Sequence, residues 1–163
     1  MQKVILRPIE KVDNPVLATI IRNALEEFNA NKPGTVYFEQ STDHLYELFN
    51  SGEGNYFVAS VDEKVVGGAG IFPTSGLPAD TCELVKIYLE PAARGKGLAG
   101  LLMQQCFKAA LAAGFKRIYL ETMPELTSAI PLYEKLGFTY LDAPLGRSGH
   151  DGCNIWMIKQ LDK

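Results

Sequence analysis

Apolar residues recur at the three- and four-residue spacing of an α-helix in two long segments of the chain. In the first segment, residues 15–28, the apolar face consists of Leu17, Ile20, Ile21, Ala24, Leu25 and Phe28. Asn14 precedes this segment and suits the N-cap position before a proline. The second segment, residues 98–113, is apolar nearly all round, with a narrow polar strip of Gln104, Gln105 and Lys108. We therefore predict an amphipathic helix and a largely buried helix, the latter ended by Gly114.

Runs of β-branched and aromatic residues bounded by glycine, proline and polar residues predict strands. The predicted strands are residues 4–8, 56–61, 65–72, 83–89, 116–122, 138–141 and 155–158. A helix connects strand 83–89 to strand 116–122, so we expect these two strands to be parallel. Two short helices are predicted over residues 43–50 and 128–136. No repeat or linker divides the chain, and we expect one domain over residues 1–163.

The composition is that of a globular protein and limits the classes of function. Hydrophobic residues make up 47% and charged residues 21% of the chain, and the net charge is −3. This charge offers no basic field for nucleic acid. The apolar run at residues 4–8 is too short for a signal or a membrane span, so we expect a cytoplasmic protein with no membrane partner. The cysteines, Cys82, Cys106 and Cys153, lack metal-ligand spacing, so we expect reduced thiols and no metal site.

A glycine-rich turn lies between the predicted strand 83–89 and the helix that follows it. Residues 94–100 read RGKGLAG, which combines two cations with closely spaced glycines. Glycine allows a ligand to approach the backbone, and the first turn of a helix carries unpaired amides and partial positive charge. These features are typical of a phosphate site, and we predict that a diphosphate binds here.

The same glycines match the GxGxxG pattern, and Glu121 lies about where a dinucleotide-binding fold has its acidic residue. The context argues against that fold. Residues 90–94 separate the strand from the first glycine, and the strands upstream form an antiparallel hairpin. Too few residues follow Glu121 for the second half of a doubly wound sheet. A P-loop is also excluded, because no Gly-Lys-Ser or Gly-Lys-Thr occurs in the chain.

Two motifs resemble the signatures of the GNAT superfamily of N-acetyltransferases. Residues 94–99 match its Arg-x-x-Gly-x-Ala turn, and residues 129–138, AIPLYEKLGF, are similar to its Ala-Ile-x-Leu-Tyr-x-Lys-x-Gly-Phe motif. The predicted order of elements is also similar over nearly the whole chain. The resemblance implies an α/β fold with a mixed central sheet of about six to seven strands, about four flanking helices, and splayed parallel strands at the cofactor site. It also implies acetyl-CoA as co-substrate.

The resemblance further implies which residues hold acetyl-CoA. The backbone of strand residues is expected to bind the pantetheine arm, and the glycine-rich turn to bind the diphosphate. The predicted cofactor-binding residues are Ile87, Tyr88, Leu89, Arg94, Gly95, Lys96, Gly97, Leu98 and Ala99. The chain departs from the family pattern at Leu126, where the family usually has an asparagine; Glu125, Thr127, Ser128 or a water are candidates to replace its contact.

Acetyl transfer to an amine needs a base for the amine and an acid for the departing thiolate. By resemblance, Tyr133 is the acid candidate, because a phenol with a pKa of about 10 keeps its proton at neutral pH. Glu83 is the base candidate, since it precedes Arg94 by the spacing found in the histone-acetylating branch of the family. The alternatives are an aromatic that only packs, a solvated glutamate, and a water chain as base. No cysteine has a recognisable assisting base, so we expect direct transfer in a ternary complex.

The substrate pocket is expected, by resemblance, between the first helices and the polar loop of residues 143–154. The predicted substrate-binding residues are Tyr37, Glu39, Arg147 and His150, with Phe38, Tyr46, Ser148 and Asp151 nearby. An arginine can bind a carboxylate and a histidine can act as a second base. We therefore predict acetylation of a primary amine on a small molecule or amino acid. The alternatives are a protein N-terminus or lysine as acceptor and a non-catalytic acyl-CoA sensor, and a homodimer is left open.

Overall fold

The computed structural model describes residues 2–125 and 129–161. Over these residues the chain forms one mixed β-sheet of seven strands and four α-helices. The strands are β1 (Val4–Pro8), β2 (Asn55–Val61), β3 (Lys64–Phe72), β4 (Thr81–Leu89), β5 (Arg117–Thr122), β6 (Thr139–Leu141) and β7 (Ile155–Gln160). The helices are α1 (Asn14–Glu27), α2 (Leu45–Phe49), α3 (Leu98–Ala112) and α4 (Ile130–Lys135). The predicted α/β fold is confirmed.

The strand order is β1-β2-β3-β4-β5-β7-β6, and only β4 and β5 pair in parallel. Their pairing runs from Thr81 opposite Arg117 to Glu83 opposite Tyr119. Beyond Glu83, β4 continues to Leu89 without pairing to β5. The two parallel strands therefore diverge, as predicted, and they leave an opening in the middle of the sheet.

The sheet separates two apolar clusters because successive side chains of a strand point to opposite faces. In β2, Phe57 and Ala59 belong to the cluster that includes α3, whereas Tyr56 and Val58 belong to the cluster that includes α1. The α3 side contributes Leu102, Met103, Cys106 and Ala110, all with 1% exposure or less. The predicted burial of this helix is therefore confirmed.

The helix boundaries differ from the predicted ones by one or two residues. Helix α1 begins at Asn14, with Asp13 at the N-cap, because the Asn14 side chain bonds to Glu47 and to the amide of Tyr46 instead of capping its own helix. Helix α2 begins at Leu45, because residues 40–43 form a 3-10 turn. Within residues 2–125 and 129–161, no helix combines the length and the apolar character that crossing a membrane requires.

Candidate active site

The opening between β4 and β5 is the mouth of a cavity of about 620 Å³. Its walls come from the end of β4, the turn before α3, and helix α4. The predicted cofactor-binding residues that line it are Ile87, Tyr88, Leu89, Arg94, Gly95, Gly97, Leu98 and Ala99. Lys96 is exposed and lies outside the lining. We call this cavity the cleft.

The turn at the mouth of the cleft has the backbone shape that glycine favours. Gly95 and Gly97 have φ angles of +76° and +82°, and a Cβ atom built on either would meet nothing within 4 Å. Gly97 is also the N-cap of α3, so the first amides of that helix have no partner within it. This open, amide-rich turn fits the diphosphate of coenzyme A.

Arg94 makes contacts within the protein that its charge alone does not predict. One guanidinium nitrogen lies 2.8 Å and 3.0 Å from the two carboxylate oxygens of Glu27, and Nε donates to the carbonyl of Leu89 at 3.1 Å. The guanidinium carbon also lies 5.1 Å from the ring centre of Phe28. These contacts join the end of β4 to helix α1, so Arg94 shapes the turn while its charge is already neutralised by a partner.

Tyr133, the predicted acid, lies on α4 and lines the cleft. Only 5% of its surface is exposed, and its ring packs edge-on against Phe138 with centres 5.8 Å apart. Burial raises the pKa of the Tyr133 phenol well above its usual value. Tyr133 thus packs against Phe138, lines the cleft and keeps its phenol protonated at neutral pH.

A second, smaller cavity of about 50 Å³ adjoins the cleft, and we call it the inner pocket. The two cavities share the lining residues Leu84, Lys86, Tyr88 and Glu121. Glu83 lines the inner pocket and is 2% exposed. Burial and the nearby charge of Glu121 raise the pKa of the Glu83 carboxyl to about 7, against the opposing hydrogen bond from the Thr74 hydroxyl.

Glu121 faces Glu83 because of the way the two parallel strands are aligned. Ile118 and Leu120 belong to the α3 cluster, so Tyr119 and Glu121 point to the other face of the sheet. The Tyr119 hydroxyl donates to Glu121 at 2.6 Å, and the Ser148 hydroxyl donates to its other oxygen. A carboxylate oxygen of Glu83, one of Glu121 and a ring nitrogen of His150 all lie within 4.8 Å of one another.

Glu39 connects the two cations of the inner pocket. Its carboxylate lies 2.6 Å from Nε2 of His150 and 3.4 Å from Nζ of Lys86. Burial alone would raise the pKa of Glu39, but the hydrogen bond from His150 and the charge of Lys86 outweigh it and lower that pKa to about 2. Burial likewise opposes the charged form of His150, but Glu39 outweighs it and raises the pKa of the imidazole.

Lys86 reaches this pocket through a local distortion of β4. Its φ angle is +53°, and the register between β3 and β4 shifts at the same place. A bulge adds a residue on one strand and changes which way the following side chains point. The Tyr56 hydroxyl donates to the carbonyl of Lys86 at 2.7 Å and supports the distorted backbone.

The structure brings some of the predicted substrate-binding residues together and not others. Glu39 pairs with His150, which lines the inner pocket. Glu39 itself, like Tyr37 and Arg147, lines neither cavity. The Tyr37 hydroxyl donates to Glu26 on α1. Arg147 is exposed, and its amide donates to the carbonyl of Ser75 at 2.7 Å. The neighbouring Ser148 faces inward and donates to Glu121. Substrate binding by Tyr37 and Arg147 stays a prediction, with neither side chain lining a cavity in this structure.

Sequence reasoning missed Lys86 and Glu121 as site residues. Side-chain alternation along β5 and its parallel register with β4 place Glu121 on the same face of the sheet as Glu83. Its position in the sequence alone suggested only the acidic residue of a dinucleotide-binding fold. The departure at Leu126, with Thr127 and Ser128 as replacements, lies outside the described residues. Glu125 forms an ion pair with Lys32.

Comparison with known proteins agrees with this geometry. A family model described as "Acetyltransferase (GNAT) family" matches residues 21–138. The "Uncharacterized N-acetyltransferase YjgM" of Escherichia coli (strain K12) is 41% identical over 162 residues, which cover 98% of this chain and 96% of that protein.

Two solved structures share the fold. A GNAT-family acetyltransferase from Staphylococcus aureus Mu50 superposes with a TM-score of 0.86 at 18% identity, covering 98% of this chain and 100% of its own. The PaiA N-acetyltransferase from Thermoplasma acidophilum, in complex with coenzyme A, gives 0.76 at 18% identity, covering 97% and 99%. The family model and the Escherichia coli relative show that the chain belongs to the GNAT family of acetyltransferases.

Proposed function

We propose that this protein transfers an acetyl group from acetyl-CoA to the primary amine of a small molecule, directly and within a ternary complex. One observation carries the proposal: the cleft lined by Tyr133 shares lining residues with the inner pocket lined by Glu83, so the proposed acid and the proposed base lie in adjoining cavities. Membership in the GNAT family supports the acetyl transfer. The structure of PaiA in complex with coenzyme A supports coenzyme A as a ligand of this fold.

Acetyl-CoA, when bound, supplies the thioester acetyl group, and the protein supplies the contacts that orient it. The turn around Gly95 and Gly97 and the first amides of α3 would hold the diphosphate. The backbone of residues 87–89 would bind the pantetheine arm, because β5 has diverged from this part of β4. These contacts direct the thioester towards Tyr133 and the junction.

Glu83 and Tyr133 would handle the two proton transfers. With a pKa of about 7, the Glu83 carboxylate can take the proton from the incoming ammonium group at neutral pH. The free amine then forms the new C–N bond as the C–S bond breaks. The Tyr133 hydroxyl would give its proton to the departing sulfur, so that coenzyme A leaves as the thiol. The nitrogen of the new amide gives up its extra proton, which restores the Tyr133 phenol, and Glu83 releases its proton to solvent before the next cycle.

The cysteines support direct transfer over an acyl-enzyme. Burial raises the pKa of Cys82, Cys106 and Cys153 to about 12, so very little thiolate is present at neutral pH. Cys153 lines the inner pocket, but no base lowers its pKa there. The enclosed position of the Glu83 and Glu121 carboxylates, 2% and 3% exposed, also favours a small acceptor over a lysine presented by a folded protein.

The test is a panel of primary amines incubated with the protein and acetyl-CoA, with release of free thiol as the readout and mass spectrometry of the product. We expect thiol release that depends on a small amine and yields its N-acetyl derivative. Peptides with free N-termini or lysines form a second panel, and faster turnover of peptides would contradict the small-molecule acceptor. Tight acetyl-CoA binding without transfer to any amine would indicate the sensor instead.

A further inference from the structure

We infer that the acceptor is a primary amine without a carboxylate beside its amino group, and that Glu121 binds its ammonium group where the cleft meets the inner pocket. The inference rests on the proposed function and specifies its substrate class. It narrows the expected acceptors, which included amino acids, and it gives a role to a residue that the proposed proton transfers do not use.

The first step concerns the position of Glu121. It is one of the residues that line both cavities, and its side chain is 3% exposed. The hydroxyl donors Tyr119 and Ser148 fix its carboxylate but bring no positive charge. The cationic contact of Glu121 is with Nδ1 of His150 at 3.8 Å, whereas Nε2 of the same ring lies only 2.6 Å from Glu39. A buried carboxylate whose cationic neighbour is distant and already shared with another carboxylate favours a ligand that carries a positive charge.

The second step concerns the two cations of the inner pocket. Among the described residues, the cationic side chains in its lining are Lys86 and His150. Both bind Glu39, which lies 3.4 Å from the first and 2.6 Å from the second. Neither is left to pair with a carboxylate on the acceptor. Arg147, the residue predicted to bind such a carboxylate, is exposed and outside both cavities.

The third step is the charge balance. With Glu39, Glu83 and Glu121 ionised and both cations charged, the pocket carries one excess negative charge, which one ammonium group neutralises. Transfer of a proton from that ammonium to Glu83 leaves the net charge of the occupied pocket unchanged. A carboxylate beside the amine would add a buried negative charge next to Glu83 and Glu121, and a buried charge without a partner is strongly unfavourable.

The experiment uses matched pairs that differ only by a carboxylate: tyramine and tyrosine, histamine and histidine, cadaverine and lysine, agmatine and arginine. For each pair we measure kcat/KM with acetyl-CoA and, separately, binding in the presence of coenzyme A. At least one amine should exceed its amino acid by about 100-fold in kcat/KM or in affinity, as expected for one buried, unpaired charge. Methyl esters of the amino acids should recover part of the difference, because they restore the size without the charge.

Two variants test the roles of the named side chains. Glu121→Gln should raise KM for the preferred amine about tenfold while the affinity for coenzyme A is unchanged. Glu39→Gln should reduce the preference for the amine about tenfold, since it frees Lys86 and His150 to meet a carboxylate. Glu53→Gln, the same chemical change on an exposed turn residue, should leave the preference unaltered.

A panel in which no amine outperforms its amino acid, in turnover or in binding, overturns the inference. Failure of the proposed function is seen separately, as the absence of thiol release with every acceptor. The binding measurements still decide the preference in that case. A preference that persists unchanged in Glu121→Gln would overturn the role of that residue.

Discussion

The cleft and the inner pocket adjoin each other but are built from different parts of the polypeptide. The cleft is shaped by main chain: a strand edge that has lost its neighbour, two glycines with positive φ, and the start of α3. The inner pocket is shaped by charged side chains from separate segments, with Glu39, Lys86 and His150 joined by ion pairs. The shape of the cleft is determined by local sequence, whereas the shape of the inner pocket is determined only by the complete fold.

This difference predicts how each cavity responds to substitution. A site made of amides tolerates most side-chain changes but fails when a side chain is added where glycine stands. A site made of buried charges fails when one carboxylate is removed, because its partner is left without compensation. Coenzyme binding and proton transfer should therefore be separable by mutation.

The largest effect is expected for Gly97→Val, which should abolish coenzyme A binding as measured by isothermal titration. Its φ angle of +82° is unfavourable for a β-branched residue, and the new methyl groups would point into open space that the diphosphate would occupy. Gly114→Val is the matched control. Gly114 follows the other end of α3 with a φ angle of +93° and equally open surroundings.

Both valine variants should lose similar stability, of about 1–3 kcal/mol, because both place a β-branched residue in the left-handed region. Only the change at Gly97 should affect the coenzyme. Unaltered titration of acetyl-CoA with Gly97→Val, or equal loss of binding in both variants, would contradict the assignment of the diphosphate to this turn.

The next largest effect is expected for Tyr133→Phe, which should lower kcat by about 100-fold or more while leaving coenzyme A affinity nearly unchanged. The ring would still pack against Phe138, and only the proton for the departing sulfur would be lost. Tyr140→Phe is the control, since that hydroxyl bonds to Glu134 on the surface. A Tyr133→Phe enzyme with full kcat would show that this side chain only packs.

The same contrast explains what the sequence could predict. The turn at residues 94–99 and the helix around Tyr133 were placed correctly because contiguous residues determine them. Lys86 was missed because its direction depends on a bulge, with a φ angle of +53°, that a two-residue alternation does not reveal. The exposure of Arg147 could not be predicted, because the loop is held by a contact with Ser75, far away in the chain.

A smaller but more specific effect is expected for Glu83→Gln in the pH dependence of kcat/KM. With a pKa of about 7, the base is ionised only above that pH, so the activity of the natural enzyme should rise through pH 7. The variant should lose about 100-fold in kcat/KM at the high-pH plateau. It should also lose the rise in activity through pH 7, which forms the acidic limb of the profile. Thr74→Val removes a hydrogen bond that lowers the Glu83 pKa, so it should move the limb to higher pH. A limb that is unmoved in Glu83→Gln would point to a water chain as base.

The smallest effect concerns stability and tests whether burial raises the Glu83 pKa. The Glu83 carboxyl has a pKa of about 7 in the folded protein, against 4.5 in the unfolded chain, so the folded protein holds this proton more tightly. Proton binding by Glu83 therefore contributes fully to stability below pH 4.5, and the contribution is lost as the pH rises through 7. The free energy of unfolding of Glu83→Gln, relative to the natural protein, should therefore increase by about 1–3 kcal/mol between pH 5 and pH 8.

Glu39 does not interfere, because its contribution to stability, with a native pKa of about 2, is lost only in acid. Glu83 is among the groups that raise the pKa of His150, so the comparison is repeated in a His150→Gln background, where the increase should remain. Glu53→Gln should show no trend with pH. Chemical denaturation at each pH provides the measurement, and a constant difference would mean that Glu83 is ionised throughout and is not the poised base that the inner pocket implies.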